Sequence, residues 1–446
     1  MSSSEVRLEI KNKYILNIIV ANLLWSFIPI VATGLFDDVS ILTIIFLRFL
    51  IAGVVLLITS ILIVILNNYL VPEKRIPLKE LFTNLRHKNR RFYNLRTYNY
   101  YFLIGFFGII LHILFYFLAL KTTSIPFAMI GTLLTIIFIA LYEKGVNYEK
   151  FDVFRILFIL MLTFSIIIIL FVSFQGANLS GSPIETRGFI YLVLYAVTGS
   201  FLYISIERDS FSKKELKDIN RNKYYKIPRA LIKMSIAFVT GVIILVPLSY
   251  VFTLLPFETD ITLEMISFLN DLSSLGIILI RWEIIYLIIF ATILPYFLIF
   301  LANVNWKSTN LTYSQWSSIL GLIDPINTLI FSVILVNAFF PYEYLIIVVV
   351  LLVITIVFRY AHEIKNVVHA VVFLKLKKGF LKPLSLKILR FYGVRYIDTL
   401  IGRYDIMLNI KLNSFRDFNY LINRKLKPME GIDEIEVHFI DKIEKN

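Results

Sequence analysis

Apolar runs of about twenty residues recur along this chain, separated by short polar breaks. One helical crossing of a bilayer takes about 20 apolar residues, and only helices or closed barrels satisfy their backbone inside lipid. The pattern therefore predicts a helical polytopic membrane protein. Ten spans are expected, at roughly 14–36, 40–66, 100–120, 123–142, 152–174, 188–206, 230–253, 283–303, 311–335 and 342–360. The composition agrees: 58% of residues are hydrophobic and 17% charged, where soluble domains carry about 25% charged residues. A soluble enzyme is excluded for the whole chain.

Charge sets the expected orientation. Lys74, Arg75, Lys79, Arg86, Lys88, Arg90, Arg91 and Arg96 cluster in 67–99, and Arg208, Lys213, Lys214, Lys217, Arg221, Lys223, Lys226 and Arg229 cluster in 207–229. Alternate loops are acidic, with Asp37 and Asp38 in one and Glu258, Asp260, Glu264 and Asp271 in another. With ten spans, both basic loops share a side with both termini, and the positive-inside rule makes that side cytoplasmic. The location expected is the plasma membrane. The net charge of +14 then reflects cytoplasmic loops; basic residues mixed with Tyr at 86–101 also fit an RNA-binding patch, but no nucleic-acid partner is expected. The polar stretch Met1–Lys13 precedes a retained helix, not a cleaved signal peptide.

The chain has no Cys, and its His residues (87, 112, 362, 369, 438) lack ligand spacing, so neither a metal nor another cofactor is expected. No paired carboxylates, Ser–His constellation or Gly-rich phosphate loop lies near the spans, so no enzyme activity is expected.

Ionisable residues inside a bilayer are costly and mark candidate sites. Asp324 lies deep in the ninth span and precedes Pro325. It fits a proton, cation or substrate site, and equally the start of a new half-helix. Arg48 pairs with a carboxylate or snorkels to the interface; Lys233 holds the matching place in the seventh span. His112 and Tyr116, one turn apart, share a face that lines a cavity or is satisfied by a neighbouring helix. Trp25, Tyr296, Tyr313, Gln315 and Trp316 are interface anchors or cavity residues, with Gln315 and Trp316 favoured for the cavity by their spacing from Asp324. The candidate substrate-binding set is Trp25, His112, Tyr116, Tyr296, Gln315, Trp316 and Asp324. Asn178-Leu-Ser180 forms a glycosylation sequon.

Five spans followed by five more give halves of opposite orientation, an inverted repeat, echoed by Arg48-Phe-Leu-Ile-Ala52 and Lys233-Met-Ser-Ile-Ala237. Expected boundaries are 1–13 for an N-terminal tail, 14–174 and 188–360 for the repeats, and 365–446 for a C-terminal domain. That last segment alternates in short elements: strand 369–377, helix 380–391, strands 394–401 and 405–412, helix 414–426 and strand 432–440, with Gly393, Gly402 and Pro428–Gly431 at turns. The order βαββαβ predicts a small α+β ferredoxin-like domain.

The segments Leu23-Leu-Trp-Ser26, Leu47-Arg-Phe-Leu-Ile-Ala52, Phe117-Leu-Ala-Leu-Lys-Thr-Thr-Ser124 and Leu320-Gly-Leu-Ile-Asp-Pro325 resemble the EamA family of the drug/metabolite transporter superfamily over about 14–360. The resemblance implies a secondary transporter, usually an exporter, of amino acids or related small metabolites. It departs from the family's pattern where the fourth span lacks a Pro near Thr135 and where Asn337 replaces an acidic residue. The segment Gly393-Val394, Gly402-Arg-Tyr-Asp405 and Met429-Glu-Gly-Ile432 resembles the ligand-binding half of Lrp/AsnC regulators over about 368–441. That likeness implies self-association into a homo-oligomer and amino-acid binding, with Gly402, Tyr404 and Asp405 as candidate regulatory residues. Asp405 equally fits a turn brace. The alternative reading is a membrane-anchored amino-acid sensor or scaffold without transport.

Overall fold

The computed structural model describes residues 14–72, 75, 77–82, 97–147, 153–180, 184–208, 219, 223–254, 256, 258–306, 313–365, 368–377, 379–389, 391, 393–412 and 415–439. They fall into two compact units. One holds Met1–Ala140, Ile159–Lys307 and Trp316–Ile356; the other holds Leu141–Phe158, Ser308–Gln315 and Val357–Asn446. Among the described residues nine helices are long and apolar enough to cross a membrane. The chain is a helical multi-pass membrane protein. The sixth expected span falls on a shorter apolar helical stretch, Thr186–Leu202. Most of the first basic cluster and half of the second, including 83–96 and 209–218, lie outside the described residues.

The helices used below are α1 (Tyr14–Trp25), α2 (Ile28–Thr33), α3 (Ile41–Leu70), α4 (Leu111–Thr122), α5 (Ile125–Asn147), α6 (Val153–Ser180), α7 (Thr186–Arg208) and α8 (Lys226–Ile243). They continue with α9 (Asp260–Asp271), α10 (Leu294–Asn305), α11 (Tyr313–Leu320), α12 (Ile323–Leu335) and α13 (Tyr342–Lys365). In the first unit, Ile58, Leu62 and Ile65 on α3 and Ile346, Val350 and Val353 on α13 form exposed apolar stripes, as a lipid-facing surface requires. The inner faces approach closely. A Cβ on Gly105 would stand 1.9 Å from the Ala237 carbonyl oxygen, and one on Gly241 would stand 2.6 Å from the Gly105 carbonyl carbon. Small residues here let two helices touch backbone to backbone. Beside that crossing Ser235 donates to the Gly53 carbonyl at 2.7 Å, tying α8 to α3. The helix α8 starts earlier than the seventh apolar run, so Lys226 and Arg229 are helical residues, and Arg229 lies buried over the Tyr225 ring.

At one end of this unit the amphipathic helix α9, opened by a Thr259–Thr262 capping box, grips other elements through its carboxylates. Glu264 accepts the Ile41 amide at 2.6 Å and pairs with Lys121 at 2.7 Å; Asp271 accepts the Ser40 amide at 3.0 Å and the Thr43 hydroxyl at 2.7 Å. Ile41 and Thr43 lie in the first turn of α3, where amides lack helical acceptors and favour negative charge. Asp260 receives Arg187 at 2.6 Å and Tyr191 at 2.8 Å from α7.

In the second unit a four-stranded antiparallel sheet follows α13: β1 (Val368–Leu376), β2 (Val394–Thr399), β3 (Ile406–Leu412) and β4 (Ile432–Phe439), in the order β2-β3-β1-β4. Helices α14 (Leu381–Ile388) and α15 (Phe415–Tyr420) connect β1 to β2 and β3 to β4. Alternate residues Ala370, Val372 and Leu374 face those of β3, Ile406, Leu408 and Ile410, in a core with Leu384, Ile388, Phe418 and Leu421. Gly431 turns the chain into β4 at φ +94°, a conformation open to glycine.

Candidate functional site

Two of the broken spans in the first unit meet, and each is interrupted next to a proline. The first span stops at Trp25 and resumes at Ile28, and the ninth stops at Leu320 and resumes at Ile323. Pro29 cannot donate to the Trp25 carbonyl, nor Pro325 to that of Gly321. The breaks are joined: the Thr328 hydroxyl meets the Ser26 carbonyl at 3.1 Å and the Asp324 carboxylate at 3.3 Å. Asp324 is half-buried in the first turn of α12, and among the described residues no cation lies within ion-pair range of it. An ionisable group on a discontinuous span is the arrangement transporters use for substrate and ion sites.

A further backbone irregularity supplies an acceptor. The span Trp282–Asn303 contains a π-helical stretch, Ile289–Ile293, followed by Pro295. Pro295 offers no amide to the carbonyl of Ala291, four residues back. That carbonyl instead receives the Trp25 indole at 3.2 Å and Arg48 Nη2 at 2.9 Å. Arg48 Nε donates to the Thr292 hydroxyl, which passes a hydrogen bond to Leu287. Arg48 is 2% exposed, so it does not snorkel, and it meets no carboxylate among the described residues. Trp25 packs edge-on against Tyr296 at 5.6 Å, and Tyr296 against Phe238.

His112 and Tyr116 share a face of α4, as their spacing predicts, and Tyr195 of α7 stacks on both, at 4.3 and 4.9 Å. His112 Nδ1 lies 3.2 Å from the Tyr195 carbonyl, so its ring is held by a neighbouring helix. Gly199 makes the room, since a Cβ there would stand 2.6 Å from His112 Cε1. The Tyr195 hydroxyl meets Thr132 at 3.0 Å.

Trp25, Arg48, Tyr296 and Asp324 are thus linked through contacts, and His112 and Tyr116 form a separate cluster with Tyr195 in the same unit. Trp316 sits half-buried on α11 and Lys233 is buried on α8. Gln315 belongs to the second unit, where its amide donates to Glu363 at 2.7 Å. Glu363 also pairs with Arg359 at 2.8 Å, both side chains being nearly enclosed, and Arg359 lies over the Phe158 ring. Sequence reasoning passed over Tyr195, Thr328, Ser26 and the Ala291–Thr292 pair. Tyr191, Tyr195 and Gly199 recur every fourth residue, a stripe that would have marked this face.

In the sheet unit, the Asp405 carboxylate accepts the Leu376 amide at 2.7 Å and so braces the turn before β3. The Tyr404 hydroxyl bonds Glu436 and Glu434. The bond to Glu436 pushes the Tyr404 phenol up to about 12, and with His438 it holds the Glu436 carboxyl below its usual range. Gly402 adopts φ +152° with open space around it. No group of His, Asp and Glu able to hold a metal occurs among the described residues.

Residues 12–171 match the EamA-like transporter family. The chain thus carries a domain of a membrane-transporter family over its first five expected spans. No curated protein matches it. A solved structure titled only "Crystal structure of protein" aligns with 78% of this chain and 96% of its own, at 16% identity and a TM-score of 0.42.

Proposed function

We propose that this protein is a secondary transporter moving small metabolites, amino acids or related compounds, outward across the plasma membrane by alternating access. The observation that carries the reading is the meeting of two broken spans at Ser26, Thr328 and Asp324, beside the π-helical stretch that holds Arg48 and Trp25. Asp324 is its proton or cation site, and Trp25, His112, Tyr116 and Tyr296 line the substrate path. Residues 14–174 and 188–360 form the two inverted repeats. The α3–α8 crossing, which brings Gly53 against Ser235, supports that symmetry. The basic composition of 67–99 and 207–229 supports cytoplasmic termini.

The C-terminal sheet, with its β2-β3-β1-β4 order and two connecting helices, supports a ferredoxin-like domain of Lrp/AsnC type. In this reading it binds a cytoplasmic amino acid, self-associates, and biases transport; the Asp405 brace leaves Tyr404 and Gly402 as its ligand candidates. Proteoliposomes loaded with each of the twenty amino acids, made with wild-type and Asp324→Asn protein, test the transport reading. Efflux that depends on Asp324 is the expected result. Efflux unchanged in Asp324→Asn would overturn the carboxylate's role, and no efflux at all would favour an anchored sensor.

A further inference from the structure

We infer that Arg48 receives the carboxylate of the transported molecule, an inference that rests on the surrounding contacts being the transport site. The guanidinium is seven residues into α3, about 10 Å along the helix, and 2% exposed. Its bonds go to neutral oxygens, the Thr292 hydroxyl and the Ala291 carbonyl, and Nη1 is enclosed with no hydrogen-bond partner. A buried charge is sustained when an opposite charge and full hydrogen bonding accompany it. Neither is supplied to Arg48 by the described residues.

Bracing one carbonyl requires one donor, which a lysine would provide. A guanidinium adds a planar fork whose Nη1 and Nη2 match the two oxygens of a carboxylate. The fork sits over the Phe49 ring at 5.0 Å, and its Nη2 shares the Ala291 carbonyl with Trp25, whose ring meets Tyr296. Indole and phenol faces suit the organic body behind a carboxylate.

Asp324 is not the missing counter-charge. It is reached from Arg48 through Ala291, Trp25, Ser26 and Thr328 in turn, and it pairs with no described cation. The site thus holds one acidic and one basic group, neither with an ion-pair partner among the described residues. Nη1 is closed off in this conformation, so the carboxylate reaches it when the site is open to one side of the membrane. A neutral or purely cationic substrate would leave that nitrogen unsatisfied throughout the cycle.

The test uses the full chain in detergent, with thermal unfolding as readout and the twenty amino acids as probes. Each amino acid that stabilises is followed by its methyl ester, which keeps the ammonium, and by its des-amino acid, which keeps the carboxylate. The inference expects the acid and des-amino acid to stabilise and the ester to fail. It expects Arg48→Gln to bind the acid at least tenfold more weakly, and Arg48→Lys to retain part of the affinity. An ester that binds as well as its acid overturns it, as does Arg48→Gln binding like wild type, or no acid binding at all. Should Arg48→Gln not fold, the ester comparison on wild-type protein decides alone. Flux through proteoliposomes separates the two levels. Ester flux indifferent to Arg48→Gln would sink this inference and leave transport standing. Acid binding that needs Arg48, without flux of any bound compound, would sink the transport reading and leave the receptor.

Discussion

The Thr328 hydroxyl donates to the Ser26 carbonyl at 3.1 Å, joining two spans at the points where each loses its helical register. Its second contact, with Asp324 at 3.3 Å, makes one hydroxyl the junction between a structural seam and a candidate ion site. Thr328→Val keeps the shape and removes the donor. A buried acceptor left unmade costs about 1–3 kcal/mol, so a lowered thermal midpoint and slowed flux are expected. Thr163→Val, whose hydroxyl serves only its own helix on an exposed face, should change neither; equal effects at both positions would refute the junction.

The helix α9 clamps the start of α3 by charge and by hydrogen bond, and the two contributions separate by mutation. Glu264→Gln can still accept the Ile41 amide but loses the pairing with Lys121, which is 44% exposed, so about 0.2–1 kcal/mol is expected. Glu264→Ala strands the amide and should cost about 1–3 kcal/mol. Thermal unfolding of both variants checks the order, and a larger loss in Glu264→Gln would contradict it.

Whether α9 keeps this contact through a transport cycle can be tested directly. If α9 must release Lys121 during transport, thiols placed at 121 and 264 and bridged by a short reducible reagent should stop flux, and reduction should restore it. The chain has no Cys of its own, so the reagent has no other target. Undiminished flux in the bridged protein would show that this contact persists through the cycle.

Gly105→Ala puts a methyl group 1.9 Å from the Ala237 carbonyl oxygen. Overpacking a tight contact costs about 1–3 kcal/mol, and a backbone oxygen cannot step aside alone. Loss of folded yield is expected, whereas Gly276→Ala, with nothing within 4 Å, should be silent.

In the sheet unit, the sign of the pH response follows from one pair. Glu436 has a lowered pKa, chiefly through Tyr404, so its stabilisation is present above the unfolded carboxyl value and fades as pH falls through the folded one. Tyr404 has a raised pKa, about 12, chiefly through the same bond. Its stabilisation holds below the unfolded phenol value and fades as pH rises toward that figure. Hydrogen exchange of the β4 amides in the full chain, corrected for intrinsic rates, should show protection falling at both extremes. Tyr404→Phe should flatten both limbs, and a Tyr404→Phe profile matching wild type would refute the pairing.

The spans and the strand–helix order of the tail were legible because both rest on local periodicity. Alternation in Val368–Leu376 reads directly as one buried face, and the turn glycines mark the ends. Arg229 is the exception, because a charge reads as the end of a span, whereas its guanidinium is buried over the Tyr225 ring at the start of α8. Gln315 was assigned to the cavity by its spacing from Asp324, a measure that assumes an unbroken helix. The break at Gly321–Leu322 removes that assumption, and the amide finds Glu363 instead. Tyr195 was missed because its partners, His112 and Tyr116, lie about 80 residues away in sequence, a pairing that periodicity alone does not reveal.

The acceptor shared by Arg48 and Trp25 belongs to the backbone of Ala291 and exists because residue 295 brings no amide. Replacing Ala291 leaves that oxygen in place, so a scan of side chains touching Arg48 would pass over it. Sensitivity is displaced one helical turn, to Pro295, where Ala would return an amide to compete for the carbonyl. A residue that makes none of these hydrogen bonds itself would then rank among the most damaging substitutions in the span, and its defect would resemble the loss of Arg48 itself.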